Sequence, residues 1–166
     1  MIIRKAKITE IDQIMNMYNS CVNGMLKLDI DQWDSTYPNK KIIYQDLNNE
    51  TYFIAVIQDE IIAGINIDKI QDKTYLSIKW NDTANKFLVV HRLGVKEEYW
   101  SQGIGKILMD FAEDMVKKNK LNSIRLDTYN SNKKAIKFYI NLGYKKLGTI
   151  FLKPNKNEYY CFEKLI

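Results

Sequence analysis

Apolar and polar positions follow two rhythms along this chain, and the change between them divides it. Met1 to Lys7 reads as a short edge strand. Thr9, with Asp12 three residues on, has the form of a helix N-cap with an acidic first turn. Ile11, Ile14, Met15, Tyr18 and Val22 then recur at the spacing of one helical face. Trp33 to Pro38 is a polar, aromatic connection, and Pro38 disfavours helix immediately before it. Ile42, Ile43 and Leu47 predict a second, short helix.

From Thr51 the period shortens. Tyr52 to Ile57 is an apolar run of strand type, Asp59-Glu60 a hairpin turn, and Ile61 to Ile67 the answering strand. Tyr75 to Trp80 is expected to extend this antiparallel region, and Phe87 to Val95 to form a further strand. Gly94 inside that strand predicts a bulge or a close backbone approach. Ile104, Leu108, Phe111 and Met115 make one apolar stripe, the clearest helix in the chain. Ile124 to Tyr129 reads as a strand. Asn132 or Ser131 caps the next helix, marked by Ala135, Ile136, Tyr139 and Ile140, and Gly143 ends it. Tyr144 to Leu152 and Glu158 to Leu165 form a last strand pair around Lys153-Pro154-Asn155. Antiparallel strands followed by β-α-β-α-β predict an α+β (mixed α/β) fold, with residues 1–166 as a single domain.

Composition supports a packed core, because 46% of the 166 residues are hydrophobic. Lys and Arg total 25 against 20 Asp and Glu, a net charge of +5 that suits a polyanionic small molecule. Nucleic acid is not an expected partner: no long basic run and no aromatic–basic RNA motif accompanies the charge. Cys21 and Cys161 are far apart and lack histidine or cysteine neighbours at ligand spacing, so reduced thiols are expected and a metal site is not. No apolar stretch approaches the roughly 18 residues that would span a membrane. Met1-Ile2-Ile3-Arg4-Lys5 lacks the apolar core of a signal peptide, which points to the cytoplasm without a membrane role.

The chemistry starts at Gly103-Ile104-Gly105, where a strand and short loop run into the helix. A helix start exposes unpaired N–H groups and a partial positive charge, and glycines let a phosphate approach the backbone. The spacing matches neither a Walker loop nor Gly-x-Gly-x-x-Gly, since position 108 is Leu. About 30 residues on, Asn132-Lys133-Lys134-Ala135-Ile136-Lys137-Phe138-Tyr139 is followed by Gly143-Tyr144. The two segments together resemble the GCN5-related N-acetyltransferase (GNAT) family. Its first signature is a strand ending in Val, a basic or amide residue, two spacers, Gly, a spacer, and Gly or Ala. Its second is Asn-x-x-Ala-x-x-x-Tyr with Gly-Phe or Gly-Tyr soon after.

The resemblance covers the chain and implies a mostly antiparallel twisted sheet of roughly six or seven strands with about four helices. Two central strands would splay to hold acetyl-CoA. Its pantetheine would lie against the backbone of Leu93, Gly94 and Val95. The amides across Ser101, Gln102, Gly103, Ile104, Gly105 and Lys106 would hold the pyrophosphate. Asn132 would meet the pantetheine arm or loop, and Tyr139 would sit near the thioester sulfur. One departure stands out: the family's basic or amide position is Trp100 here.

The implied activity is acetyl transfer to a primary amine by direct attack in a ternary complex, with positioning supplying much of the acceleration. Strand-edge N–H groups near Gly94 or Val95 would stabilise the oxyanion. Tyr139 would protonate the leaving thiolate. His91 is the single histidine, and its unperturbed pKa of about 6.5 suits a general base. Strand alternation sets it on the face of Leu93 and Val95. Asp82, Glu60 or water are the other bases. Trp33, Tyr37, Trp80 and Thr128 are the candidates for lining the acceptor pocket, whose occupant is a small amine, an antibiotic, or a peptide or protein amine. The resemblance also allows a homodimer through the final strands. The competing reading is an acyl-CoA-binding module without turnover, to which Trp100 lends weight and Asn132 and Tyr139 do not.

Overall fold

The computed structural model describes residues 1–152 and 157–166. It contains four α-helices and seven strands that hydrogen-bond in the order β1-β2-β3-β4-β5-β7-β6. Strands β4 (Phe87–Val95) and β5 (Ser123–Tyr129) pair in parallel, whereas β1 (Ile2–Lys5) with β2 (Tyr52–Ile57), β2 with β3 (Glu60–Asp68), and β7 (Glu158–Leu165) with both β5 and β6 (Lys145–Phe151) are antiparallel. The expected mixed α/β class with a mostly antiparallel sheet is therefore observed. The chain makes two compact units, Met1–Ile67 with His91–Asp110, and Asp68–Val90 with Phe111–Ile166.

In the first unit, helix α1 (Ile11–Leu26) buries Ile14, Met17, Tyr18, Cys21, Val22 and Met25. These pack with Ile43 and Leu47 of α2 (Lys40–Asn48) and with Tyr52 and Ile54 of β2. Thr9 does not cap α1. A 3-10 turn, Ile8–Glu10, precedes the helix, and the Glu10 carboxylate accepts from the Lys7 amide at 2.7 Å while Arg4 forks onto it. The carboxylate thereby closes the 3-10 turn onto the chain before it, and the Glu10 N-cap position of α1 makes no side-chain cap hydrogen bond. Asn39 caps α2 by accepting from the Ile42 amide. The β2–β3 hairpin turns on Gln58 and Asp59, with φ 46° and 66°, rather than on Asp59-Glu60. Two left-handed residues give the turn whose twist matches a tight hairpin, so Glu60 is already in β3.

In the second unit, β5 pairs along its whole length with β7, and the β4–β5 ladder joins Phe87–Val89 to Ser123–Arg125. Tyr75 to Trp80 does not continue the antiparallel region. Lys73–Ser77 is a 3-10 turn, because the Asp72 carboxylate takes both the amide and the hydroxyl of Thr74 and so offers the backbone an alternative to a ladder. Helix α4 (Lys133–Asn141) starts at Asn132, whose Oδ1 accepts from the Ala135 amide at 3.0 Å. It ends on Gly143, φ 87°, with the Gly143 amide on the Ile140 carbonyl and the Tyr144 amide on the Tyr139 carbonyl. That double bond pattern requires a left-handed residue after the helix, which is the reason for glycine there. The expected β6–β7 turn at Lys153-Pro154-Asn155 lies outside the described residues. Among the described residues no helix is long and apolar enough to cross a membrane.

Candidate active site

The later half of β4 is gripped from α1 and α2. Arg92 has φ 51°, so the backbone irregularity of the strand falls there and not at Gly94. The strict alternation that would put His91, Leu93 and Val95 on one face is thus interrupted between the first two of them. Gly94 answers to the other expectation, a close approach: a Cβ on it would stand 2.8 Å from the Tyr18 ring and 3.5 Å from Trp33. The Tyr18 hydroxyl donates to the Arg92 carbonyl at 2.5 Å, and the Tyr52 hydroxyl donates to Tyr18 at 2.8 Å. The Arg92 guanidinium is paired with Asp46 at 2.7 and 2.9 Å. His91 is half-buried beside it.

Beyond β4 the chain makes a 3-10 turn, Glu97–Tyr99, and reaches helix α3 (Ile104–Lys118) through Ser101 and Gly103, with φ 63° and 81°. Gly103 is the position where glycine matters for conformation. A Cβ there would meet nothing within 4 Å, so its requirement is left-handed backbone and not lack of room. The first helical bond of α3 runs from the Ile107 amide to the Gly103 carbonyl. The amides of Ile104, Gly105 and Lys106 precede it and have no acceptor among the described residues. Successive left-handed turns at a helix start make a concave array of N–H groups suited to an anion. Gln102 folds its side chain back onto the Glu98 carbonyl at 2.9 Å. Trp100 turns inward: its indole donates to the Val95 carbonyl at 2.7 Å, and its ring packs over Gly24 of α1.

In the second unit, Tyr139 is 7% exposed and its ring meets Phe138, Tyr144 and Phe162. Among the described residues its hydroxyl has no hydrogen-bond partner. Burial first, and the charge of Asp127 second, push its pKa well above that of an ordinary phenol. Tyr139 therefore keeps its proton throughout the neutral range. Asp127 itself accepts from the buried Tyr75 hydroxyl at 2.6 Å. Asn132 uses its side-chain oxygen as the α4 cap.

The four acceptor candidates differ in exposure. Trp33 is buried, edge-on to Tyr18 and Tyr37 at ring distances of 5.5 and 6.5 Å. Tyr37 is half-buried, with its hydroxyl 3.4 Å from Arg92 Nη1. Trp80 is half-buried, donates to the Tyr75 carbonyl at 3.0 Å, and carries Arg125 over its ring. Thr128 is buried on β5. Of the acidic alternatives for a base, Glu60 is held below the usual carboxylate range by Lys96 and by the Tyr99 hydroxyl. Burial pushes Asp82 up, but hydrogen bonds from Asn122 and the amides of Ala84 and Lys86 hold it low on balance. Among the described residues no group of three or more His, Cys, Asp or Glu is placed to hold a metal ion.

Sequence reasoning missed Arg92, Asp46, Tyr18 and Tyr52. The one signal was an arginine inside an apolar strand run, which either faces solvent or needs a buried partner.

The sequence model of the Acetyltransferase (GNAT) family matches residues 11–144. Solved structures share the fold. A GNAT-family acetyltransferase of Streptococcus agalactiae 2603 is 23% identical, over 99% of this chain and 95% of its own, with a TM-score of 0.84. A protein of Staphylococcus aureus Mu50, assigned as an acetyltransferase, is 25% identical over 99% of both chains, with a TM-score of 0.77. PaiA N-acetyltransferase of Thermoplasma acidophilum, solved with coenzyme A, is 18% identical over 99% of this chain and 98% of its own, with a TM-score of 0.74.

Proposed function

The chain belongs to the acetyltransferase (GNAT) family, and from that premise we propose that it moves the acetyl group of acetyl-CoA to a primary amine by direct attack in a ternary complex. The observation that carries this reading is the start of α3, where the amides of Ile104, Gly105 and Lys106 precede the first helical bond and Gly103 holds a left-handed turn. The donor set fits a pyrophosphate: it is backbone, concave and aligned with the positive end of a 15-residue helix. Ser101, Gln102 and Gly103 complete the loop that would hold it, and the backbone of Leu93, Gly94 and Val95 would hold the pantetheine arm. Asn132 contributes by fixing the start of α4. Trp100 serves the cradle through the Val95 carbonyl and not through a polar contact with the ligand.

When bound, acetyl-CoA supplies an activated acyl carbon and a thiol leaving group. The chain's own residues manage protons and orientation. Tyr139 is a donor and not a base, because burial keeps its phenol protonated. His91 accepts the proton of the incoming ammonium, since Glu60 and Asp82 are both made weaker bases by their hydrogen bonds. Trp33, Tyr37, Trp80 and Thr128 are the residues we assign to the acceptor side, with Tyr37 and Trp80 its half-buried aromatics. The acceptor is a small-molecule or peptide amine. Residues 1–166 act as one acetyltransferase domain, a reading supported by a family match that runs through both compact units.

Thiol release from acetyl-CoA with a panel of amines, run beside thermal stabilisation by CoA, tests this. Turnover on at least one amine is expected. Stabilisation by CoA without turnover on any amine makes the chain an acyl-CoA-binding module. The absence of both turnover and stabilisation removes the proposal.

A further inference from the structure

Arg92 stands in β4 directly before Leu93, and its φ of 51° is left-handed. A residue with a Cβ enters that region only where its surroundings hold it. Here three side chains do so. Asp46 of α2 takes the guanidinium side-on, Nη2 to Oδ1 at 2.7 Å and Nε to Oδ2 at 2.9 Å, with both side chains nearly buried. The Tyr37 hydroxyl lies 3.4 Å from Nη1. The Tyr18 hydroxyl donates to the Arg92 carbonyl at 2.5 Å, and the Tyr18 ring lies against Gly94, where a Cβ would come within 2.8 Å. One tyrosine thus grips both residues that flank Leu93.

A buried ion pair is a poor device for stability alone, since two apolar side chains of similar size often serve as well. What an apolar pair cannot do is fix a strand residue in left-handed backbone through a two-pronged hold on its side chain. We infer that the Asp46–Arg92 fork is a positioning device: it keeps Arg92 left-handed and so sets the direction in which the backbone groups of Leu93, Gly94 and Val95 meet acyl-CoA. This rests on the proposed role of those backbone groups. Neither Arg92 nor Asp46 is assigned contact with the ligand, and both act through β4.

The test uses two double variants of the full chain, Asp46→Asn with Arg92→Gly and Asp46→Asn with Arg92→Ala. Each removes both charges together, so neither leaves an orphaned ion. They differ in one methyl group, which matters only if the left-handed conformation matters, because glycine adopts it unaided. CoA binding is measured by titration calorimetry and stability by thermal melting. The glycine pair is expected within about threefold of wild-type Kd, and the alanine pair about tenfold weaker. Equal Kd for the two pairs overturns the inference, whether or not their melting temperatures differ, because strain that appears in stability alone is structural. Absence of CoA binding by the wild type overturns the underlying acetyltransferase reading instead. Should either pair fail to fold, Tyr18→Phe removes the hydroxyl that donates to the Arg92 carbonyl and accepts from Tyr52. A severalfold rise in Kd then supports the inference, and an unchanged Kd overturns it.

Discussion

The indole nitrogen of Trp100 donates to the Val95 carbonyl at 2.7 Å, tying the end of β4 to the loop that leads into α3. At the position where the family carries a basic or amide side chain, this chain therefore has an internal brace. The brace leans on α1, where a Cβ at Gly24 would stand 2.7 Å from the Trp100 ring. Trp100→Phe keeps most of the ring and loses the hydrogen bond, so a loss of about 1 kcal/mol is expected in urea unfolding. Because the lost bond orients the loop, the KM for acetyl-CoA is expected to rise severalfold with it. Gly24→Ala forces the ring to shift and should cost about 1–3 kcal/mol. A Trp100→Phe enzyme with unaltered stability and KM would remove the brace.

Gly103 separates conformation from room. With φ 81° and no atom within 4 Å of an added Cβ, Gly103→Ala introduces strain without a clash. The expected result is a rise of about tenfold in the KM for acetyl-CoA, in line with the 1–2 kcal/mol of left-handed strain. The kcat should stay close to wild type, because the residue is proposed to hold the pyrophosphate and not the reacting atoms. Steady-state kinetics at varied acetyl-CoA decides it: a fall in kcat at constant KM would place Gly103 elsewhere.

Tyr139→Phe is expected to lower kcat by roughly 10- to 10³-fold, the range for a lost proton donor. The packing against Phe138, Tyr144 and Phe162 survives the change, so stability should move little. The phenol has its pKa raised by burial, so the kcat–pH profile of the wild type should show no limb from Tyr139 between pH 6 and 9. An unchanged kcat in the variant would take Tyr139 out of the mechanism.

Several buried groups predict how stability falls in alkali. Burial raises the pKa of Tyr18, Tyr52, Tyr75 and Tyr139 above the ordinary phenol value, and pushes Cys21 up to about 11 and Cys161 to about 12. The folded chain therefore holds these protons more tightly than the unfolded chain. Their contribution is complete below the unfolded values, near 9 for the thiols and 10 for the phenols. It is lost as pH rises toward the folded values. Unfolding free energy should be flat from these groups up to about pH 8 and then decline, by as much as about 1.4 kcal/mol per pH unit for each group. Urea melts from pH 7 to 11 test it, and a curve that stays level above pH 10 would contradict it.

The periodic stretches of the sequence carried most of the fold. The α3 stripe led by Ile104 and Leu108, the Phe87–Val95 run and the Asn132 cap all have their causes within a few residues, and each lies where the pattern put it. Features with distant causes were not legible. Tyr75 to Trp80 alternates like a strand, yet Tyr75 is held by Asp127, which is 52 residues away. Arg92 looks like an interruption in an apolar strand until Asp46, 46 residues earlier, is seen to face it. Gly103 could be read because left-handed backbone asks for glycine. Ser101 shares that backbone without the residue that announces it.

The same argument about hidden partners yields a stability prediction in the second unit. Arg125 and Glu163 are 1% and 0% exposed in their side chains, with Nε to Oε1 at 3.3 Å. The rest of each group is satisfied. Arg125 donates to Gln71 and to the Asp82 carbonyl and lies between the Trp80 and Phe87 rings, at 4.5 and 3.9 Å. Glu163 accepts from Ser123 and from the Asn81 amide. Removing one charge leaves the other buried and uncompensated, which costs far more than the pair contributes. Glu163→Gln is therefore expected to lose about 3 kcal/mol or more, whereas replacing both residues together, Arg125→Met with Glu163→Gln, should lose less than the single change. A double-mutant cycle in urea reads the coupling directly. A double variant that loses the sum of the two single losses, Glu163→Gln and Arg125→Met, would show that the two charges do not depend on one another.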